Sequence, residues 1–204
     1  MRLKREQRNK QDEDLDLING IQSGQKDLFY ELVKRYEGKI YNFGLKLCRD
    51  IGDAEDLVQD TFLNVFRYIK DFRHETKFKN WLYKIASNVC LRKRRKSKFA
   101  PDRELYLDDF LPGEDEQGPS ELPDWAALPL EKLLNEELSE NLKKSIVSLP
   151  EKYRMVFVLR DVEGFNTDET AQILNVSPAT VKVRLHRARL FLREKIKEYF
   201  TDDP

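Results

Sequence analysis

Basic and small polar side chains are concentrated in the segment SPATVKVRLHRAR, residues 177–189. Lysine and arginine neutralise phosphates, and an arginine can also form paired hydrogen bonds with a guanine edge in the major groove. The pattern therefore indicates a surface for duplex DNA. The side chains that are predicted to be exposed there are Ala179, Thr180, Lys182, Val183, Arg184, His186, Arg187 and Arg189.

A helix-turn-helix is the element that would position this surface. Asn166 can cap a short first helix, with Glu169 three residues later completing a capping box. Asn175 suits the left-handed conformation of a tight turn, Ser177 can cap the second helix, and Pro178 fits its first position. The second helix would bury Val181, Leu185, Ala188 and Leu192. A basic hairpin that packs on protein is the alternative, but the caps, the turn and the basic face together favour a helix in the DNA major groove.

A second amphipathic helix is predicted over residues 53–69. Asp53 is predicted to cap it, with Asp56 three residues on. Apolar residues at i, i+3 and i+4 spacing indicate one buried face. That face would contain Ala54, Leu57, Val58, Thr61, Phe62, Val65, Phe66 and Ile69.

The opposite face of this helix carries acidic and amide side chains, namely Asp56, Gln59, Asp60, Leu63 and Asn64. It fits a solvated face, a docking face for a basic or amphipathic helix, or a metal-dependent catalytic site on Asp53, Asp56 and Asp60. Periodicity alone favours the solvated face. No histidine or further carboxylate group supports the metal site.

A third candidate surface surrounds the basic run of residues 92–96, at the end of a helix predicted over residues 78–95. Its inward residues are Phe78, Leu82, Ile85, Ala86 and Val89, with Trp81 at the edge. The run lies near Asn80, Trp81, Tyr83, Asn88 and the loop 72–74. Aromatic faces stack on unpaired bases while cations follow the backbone, which fits single-stranded DNA. A solvated helix end is the alternative, and the residues alone leave both open.

Charge is distributed unevenly along the 204 residues, although the formal net charge is zero. Residues 1–97 carry a net charge of +7, residues 98–141 of −10 and residues 142–204 of +3. Two basic blocks around an acidic one indicate two surfaces for a polyanion. Five of the eight prolines lie in residues 98–130, where helical periodicity stops, which predicts a linker.

We expect an all-α fold of two small helical domains. The predicted divisions are a flexible tail at 1–24 running into a short helix at 15–22, a first domain at 25–97, the acidic linker at 98–130 and a second domain at 131–200. No apolar run reaches the length of a membrane span, and the N-terminus lacks the apolar core of a signal peptide, so a cytoplasmic protein is expected. Cys48 and Cys90 provide neither a disulfide framework nor zinc-ligand spacing, and no metal or cofactor is expected.

Three segments together resemble the bacterial sigma-70 family. They are DAEDLVQDTFL, then FKNWLYKIASN with its basic run, then LPEKYRMVFVLRDVEGFNTDETAQILNVSPATVKVRLHRAR. More specifically, the chain is similar to the two-domain extracytoplasmic-function (ECF) group, over nearly all of residues 27–196. The resemblance implies a transcription initiation factor and not an enzyme. The first domain would correspond to region 2 and the second to region 4.

The family pattern assigns a partner to each surface. The clamp coiled coil of the core RNA polymerase beta-prime subunit would bind Asp56, Gln59, Asp60 and Leu63, which replaces the solvated-face interpretation. The minus-ten promoter element would be read and opened by Phe72, Arg73, His74, Lys77, Asn80, Trp81, Lys84, Asn88 and Arg92. The minus-thirty-five element would be read by Ser177, Ala179, Thr180, Lys182, Val183, Arg184 and Arg187. The resemblance further implies a contact with the polymerase beta flap, a linker in the polymerase RNA path, and an anti-sigma factor.

Two features depart from the family pattern. Many relatives carry Gly-Thr-Val-Lys-Ser-Arg at the start of the recognition helix, whereas this chain has Val183 in place of the serine. A branched methyl surface there can contact a thymine methyl group. The linker is also longer and more acidic than a minimal one.

Two hypotheses compete with a sigma factor. One is a polymerase-independent helix-turn-helix regulator, and the other is a metal-dependent phosphoesterase.

Overall fold

The structure is a computed structural model that describes residues 14–48, 50–96 and 136–201. The chain divides into two compact units, Met1–Lys98 and Phe99–Pro204. Every regular element within the described ranges is helical, which confirms the all-α prediction. The predicted linker at 98–130 and the first part of the predicted tail lie outside the described residues.

The described part of the first unit, residues 14–48 and 50–96, contains four helices. They are α1 (residues 14–22), α2 (Asp27–Leu47), α3 (Ile51–Tyr68), which a 3₁₀ turn at Ile69–Asp71 extends, and α4 (Phe78–Lys96). Helices α2, α3 and α4 pack on one another in all three pairings. Their apolar faces supply the core, with Leu32, Ile40, Phe43, Leu57, Val65 and Leu82 almost fully buried.

Helix α2 is continuous through both of its glycines. Gly38 has open space around it, whereas Gly44 is the point at which α2 and α3 touch. A Cβ atom on Gly44 would lie 3.2 Å from the Cα atom of Ala54 and 3.1 Å from a methyl carbon of Leu57. The missing side chain therefore lets the two helix backbones approach closely.

Helix α3 begins earlier than the acidic residues predicted. Asp50 is its N-cap, and the Asp50 carboxylate accepts a hydrogen bond of 2.6 Å from the backbone N–H of Gly52. Asp53 lies in the first turn instead. The prediction that Asp53 caps the helix is wrong, because Ile51 and Gly52 are already helical and leave Asp50 as the last extended residue.

Helix α1 belongs to the folded unit, although residues 1–24 were predicted as a flexible tail. Leu17, Ile18 and Ile21 are buried. At its start, the Asp14 carboxylate accepts hydrogen bonds from the Arg35 guanidinium, at 2.9 Å, and from the Tyr36 hydroxyl. Burial raises the pKa of the Tyr36 phenol above its usual range, and the hydrogen bond to Asp14 adds to this. The short helix predicted at 15–22 is therefore present and anchored.

The second unit contains α5 (Glu136–Ser148), α6 (Glu151–Phe157) with a π-helical turn at Val158–Val162, α7 (Thr167–Leu174) and α8 (Pro178–Thr201). Helix α8 packs against α5, α6 and α7. The core of the unit includes Leu149, Val156, Leu159, Ile173, Val181 and Leu192.

Candidate functional site

The helix-turn-helix has the local geometry that the sequence predicts. The Asn166 side chain accepts a hydrogen bond of 2.8 Å from the N–H of Glu169, and the Glu169 carboxylate accepts one of 3.0 Å from the N–H of Asn166. Asn175 ends α7 in the left-handed conformation, with φ 55° and ψ 48°. Ser177 accepts a hydrogen bond of 3.1 Å from the N–H of Thr180. The capping box, the turn residue and the second cap are all confirmed.

The residues of α8 that are predicted to contact duplex DNA differ in their exposure to solvent. Ser177, Ala179 and Lys182 are exposed, and Thr180, Val183 and Arg184 are half-buried. The predicted inward residues Val181, Leu185, Ala188 and Leu192 are all buried. Of the six residues that are exposed or half-buried, Ser177 caps α8 and the other five lie in its first two turns, the part of a recognition helix that reaches base edges.

Arg187 departs from this pattern, and the prediction that it is exposed is wrong. Its side chain is only 5% exposed, and its Nη1 donates a hydrogen bond of 3.3 Å to the hydroxyl of Tyr153 on α6. The cause is tertiary, because α8 packs against α5 and α6 as well as α7. Its buried arc is therefore wider than the four apolar positions indicate.

Arg189 is also held by the protein and not exposed as predicted. Its guanidinium pairs with the Asp161 carboxylate through two hydrogen bonds of 2.8 Å each. Asp161 lies in the π-helical turn at Val158–Val162, next to Arg160, which donates to the carbonyl of Phe165. Paired arginine–carboxylate hydrogen bonds fix geometry well. The pair thus joins the π-helical turn to α8 at a point that follows the first two turns of that helix.

His186 directly precedes Arg187 and lies three residues before Arg189. It is half-buried, and its Nδ1 is buried with no hydrogen-bond partner. Burial lowers the pKa of His186 below its usual value, and the positive charges of Arg187 and Arg189 lower it further. The neutral imidazole is the form that this environment favours.

The outward strip of α3 is placed as the spacing predicts. Asp56 and Gln59 are exposed, Leu63 is 55% exposed and Asp60 is half-buried. We call Asp56, Gln59, Asp60 and Leu63 the docking strip. It presents carboxylates, an amide and an apolar side chain on one face of a helix whose other face forms the core.

Phe66 extends this strip and was missed in the sequence, where it was predicted to be buried. It is 53% exposed, and its ring meets the edge of Phe29 on α2 with a centroid distance of 5.1 Å. Tyr30, which follows Phe29, is 65% exposed. Phe66 lies three residues after Leu63, so the i, i+3 spacing that joins it to the strip was available as a signal.

The three aspartates of the metal hypothesis do not converge. Asp53 and Asp56 are exposed and Asp60 is half-buried. Within residues 14–48, 50–96 and 136–201, no three His, Cys, Asp or Glu side chains come close enough to hold a metal ion. The geometry gives the phosphoesterase hypothesis no support.

The loop 72–77 between α3 and α4 is organised around aromatic rings. Phe72 is buried, and its ring centroid lies 4.9 Å from that of His74 and 5.1 Å from that of Trp81. Arg73, His74 and Lys77 are exposed. His74 has a φ of 58°, in the left-handed region that non-glycine residues seldom occupy.

Helix α4 continues the surface beyond this loop. Lys84, Asn88 and Arg92 are exposed and Trp81 is half-buried, so they follow Lys77 along one face at spacings of three and four residues. The side chains of residues 93–96 lie outside the description. The structure therefore brings most of the predicted single-strand surface together.

Three aromatic or polar residues of this group are buried instead. Asn80 is 7% exposed, Phe72 is 6% exposed, and Tyr83 is fully buried, edge-on to the Phe43 ring at 5.0 Å. The suggestion that Tyr83 stacks on bases is wrong. Because α4 packs against both α2 and α3, its buried arc takes in positions that the apolar pattern leaves outside.

Comparison with known proteins accounts for both units. The family model for Sigma-70 region 2 matches residues 32–99, and that for Sigma-70, region 4 matches residues 139–192. The ECF RNA polymerase sigma factor SigW of Bacillus subtilis (strain 168) is 34% identical over 182 residues, which cover 89% of this chain and 95% of the relative.

Solved structures agree with this result. The sigma factor RpoE from Bartonella quintana, in complex with the anti-sigma factor NepR, is similar with a TM-score of 0.59 and 25% identity, covering 83% of this chain and 96% of that one. CnrH, in complex with the cytosolic domain of CnrY, shares the fold with a TM-score of 0.60 at 22% identity, over 89% of this chain and 96% of that one.

The part of the chain that the structure describes holds no helix that is both long and apolar enough to cross a membrane. Two family models in order along the chain and a relative aligned over almost its whole length give the same assignment. The chain therefore belongs to the sigma-70 family of RNA polymerase sigma factors, within its ECF group.

Proposed function

We propose that the two units of this sigma factor have separate roles in directing promoter-specific transcription initiation. The first unit binds core RNA polymerase and opens the minus-ten element, and the second unit reads the minus-thirty-five element as duplex. Such a factor acts in the cytoplasm, through binding and without catalysing a reaction of its own. The observation that carries this proposal is the presence of two surfaces of opposite charge, acidic on α3 in one unit and basic on α8 in the other, in a chain of this family.

Polymerase docking is assigned to the docking strip, with Phe66 at its edge. The carboxylates of Asp56 and Asp60 suit a basic partner helix, such as one arm of the beta-prime clamp coiled coil. The exposed side chains of Leu63 and Phe66 offer apolar area for the centre of the contact. Exposed charges alone contribute little affinity, so the apolar residues supply most of it.

Reading of the minus-ten element is assigned to the loop 72–77 and the adjoining face of α4. Arg73 and Lys77 can follow the phosphates of a displaced strand while the half-buried Trp81 presents an aromatic edge to an unpaired base. A base extruded from the stack would lie against this loop. The buried Phe72 and Asn80 support the surface from beneath.

Reading of the minus-thirty-five element is assigned to the first two turns of α8. Arg184 is the candidate for a bidentate contact with guanine, and Val183 for a contact with a thymine methyl group. Ser177, Ala179, Thr180 and Lys182 lie beside them. Arg187, which the core holds through Tyr153, contributes by fixing the helix.

Two further partners extend this proposal. The similar Bartonella quintana sigma factor was solved with an anti-sigma factor, and we infer that this chain is held by such a protein when inactive. The acidic segment at 98–130 would follow the path of RNA in the polymerase, where its charge resembles that of nucleic acid. The beta flap would receive the second unit.

Run-off transcription with bacterial core polymerase on sheared genomic DNA of the encoding organism tests the proposal. We expect discrete new transcripts with the wild-type protein and their loss with Asp56→Ala/Asp60→Ala. Glu37→Ala, which removes an exposed carboxylate from α2, is the matched control and keeps the transcripts. Tight duplex binding by the protein alone, with no polymerase-dependent transcripts, would point to a stand-alone regulator.

A further inference from the structure

The side chain of Gln22 joins helix α1 to the loop 72–77. The Nε2 atom of Gln22, the last residue of α1, donates hydrogen bonds of 2.8 Å to the carbonyl of Ile69 and of 2.9 Å to the carbonyl of Phe72. A glutamine NH₂ group has two donors, and both are used here. The two carbonyls enclose the 3₁₀ turn that leads from α3 into the loop. One amide group therefore fixes the start of the loop.

The other atom of the same amide faces the far side of Arg73. The Oε1 atom of Gln22 lies 3.5 Å from Nε2 of His74. His74 is held at a φ of 58° with its ring against that of Phe72. A non-glycine residue keeps this conformation only where its surroundings impose it. Gln22 thus touches the chain on both sides of the exposed Arg73.

The helix that carries Gln22 is itself anchored along its length. Asp14 is bound to Arg35 and Tyr36 at its first described turn, and the ring of Tyr36 meets the edge of Phe78 at 5.5 Å. Ile18 and Ile21 are buried between these ends. A side chain on a rigid element places its hydrogen bonds accurately.

We propose that Gln22 is a positioning residue for the minus-ten element. It holds the backbone of the loop 72–77 so that Arg73 and His74 meet the unpaired strand in one geometry, and it does not itself touch DNA. The inference rests on the proposed function of this loop. It adds a residue outside the region 2 match, which begins at residue 32.

The test uses holoenzyme assembled from core polymerase and the full chain, on a promoter identified by mapping transcript starts. Gln22→Met keeps the length of the side chain and removes its donors, while Gln25→Met makes the same change at an exposed site in the adjoining turn. Arg73→Ala tests the loop. Permanganate reactivity of unpaired thymines is measured on the matching promoter and on templates with single changes in the minus-ten element.

We expect Gln22→Met to lower opening of the matching promoter about tenfold, as the loss of two hydrogen bonds implies. It should also reduce the ratio between matching and changed templates, which a merely structural role would leave intact. Affinity for core polymerase and binding of the minus-thirty-five element should match those of Gln25→Met. In the protein alone, amide hydrogen exchange should accelerate at residues 73–77 and not within α3.

Three outcomes would overturn the inference in different ways. If Arg73→Ala impairs opening and Gln22→Met behaves as Gln25→Met does, the loop function stands and the positioning role fails. If neither variant changes opening or discrimination, the assignment of the loop to the minus-ten element fails and the inference with it. Loss of polymerase affinity together with a lowered unfolding temperature in Gln22→Met would instead show a general structural role and also reject the inference.

Discussion

Arg187 of α8 donates a hydrogen bond of 3.3 Å to the hydroxyl of Tyr153 on α6, with only 5% of the arginine exposed. Arg184, one helical turn earlier, is half-buried on the outer side of the same helix. Two arginines three residues apart on one helix therefore lie in different environments. We infer that Arg187 fixes α8 to its own unit and that the first turns of the helix, with Arg184, meet DNA.

We expect substitutions at these two arginines to separate stability from promoter choice. Arg187→Ala should lower the free energy of unfolding of the second unit by about 2–3 kcal/mol, because it opens a cavity and removes a donor to Tyr153. Arg184→Ala should cost about 1–3 kcal/mol of binding at one promoter position and leave unfolding nearly unchanged. Urea unfolding and binding to single-base promoter variants measure the two effects. Equal loss of stability in both variants would contradict the division.

Phe66 should contribute to the affinity for core polymerase. Phe66→Ala is expected to weaken binding by about tenfold, which is typical of an apolar side chain within an interface. Tyr68→Ala is the matched control, since Tyr68 is also 53% exposed and lies at the end of the same helix, two residues on. A titration with labelled core polymerase gives both affinities. Similar losses for the two variants would argue against a specific role of Phe66.

The two glycines of α2 should respond in opposite directions to alanine. Gly38→Ala is expected to raise the free energy of unfolding by about 0.5–1 kcal/mol, since alanine favours the helix and the site is open. Gly44→Ala is expected to lower it by about 1–3 kcal/mol, because the new Cβ would press on the backbone of Ala54. Thermal or urea unfolding of each variant measures the difference. Stabilisation by Gly44→Ala would mean that α2 and α3 separate easily.

The second unit should lose stability as the pH falls below 6.5, the pKa of an ordinary histidine. Because the folded unit lowers the pKa of His186 from 6.5, the unfolded chain binds a proton first on acidification. Stability is therefore complete above pH 6.5 and declines between that value and the lower pKa of the folded unit. His186→Gln should flatten this decline in urea unfolding at pH 7.5 and 5.5. His74→Gln, at the other histidine of the chain, should not.

The local features of the fold were predictable from sequence because short-range chemistry determines them. The capping box at Asn166, the left-handed Asn175 and the cap at Ser177 each depend on residues within one turn of helix. The apolar spacing of α8 likewise located Val181 and its partners. These features follow from local backbone hydrogen bonding and side-chain shape and do not depend on contacts with distant parts of the chain.

The predictions of side-chain burial were wrong at positions where contacts with more than one neighbouring helix determine the burial. Tyr83 and Arg187 carry polar groups and were predicted to be outward, yet each lies where its helix meets a second neighbour. Phe66 was predicted to be inward, but it is 53% exposed, with its ring against that of Phe29 on α2. Periodicity identifies one face of a helix but not the width of the contact, which depends on how many helices surround it.

Contacts at long sequence separation were the least accessible to prediction. Gln22 binds carbonyls that lie 47 and 50 residues further along the chain. Nothing in a glutamine at the end of a short helix indicates such a partner. The hydrogen bonds of Gln22 could be identified only once the position of α1 in the folded unit was known.

The π-helical turn at Val158–Val162 also has an evolutionary consequence. A π turn holds one residue more than the α-helical turn it replaces, so it is a place where a helix can absorb an insertion without unfolding. Deleting one residue there would rotate the following side chains by about 100° and take Asp161 away from Arg189. A homologue with one residue fewer at this point would therefore need another pair of residues to join this turn to the middle of the helix that corresponds to α8.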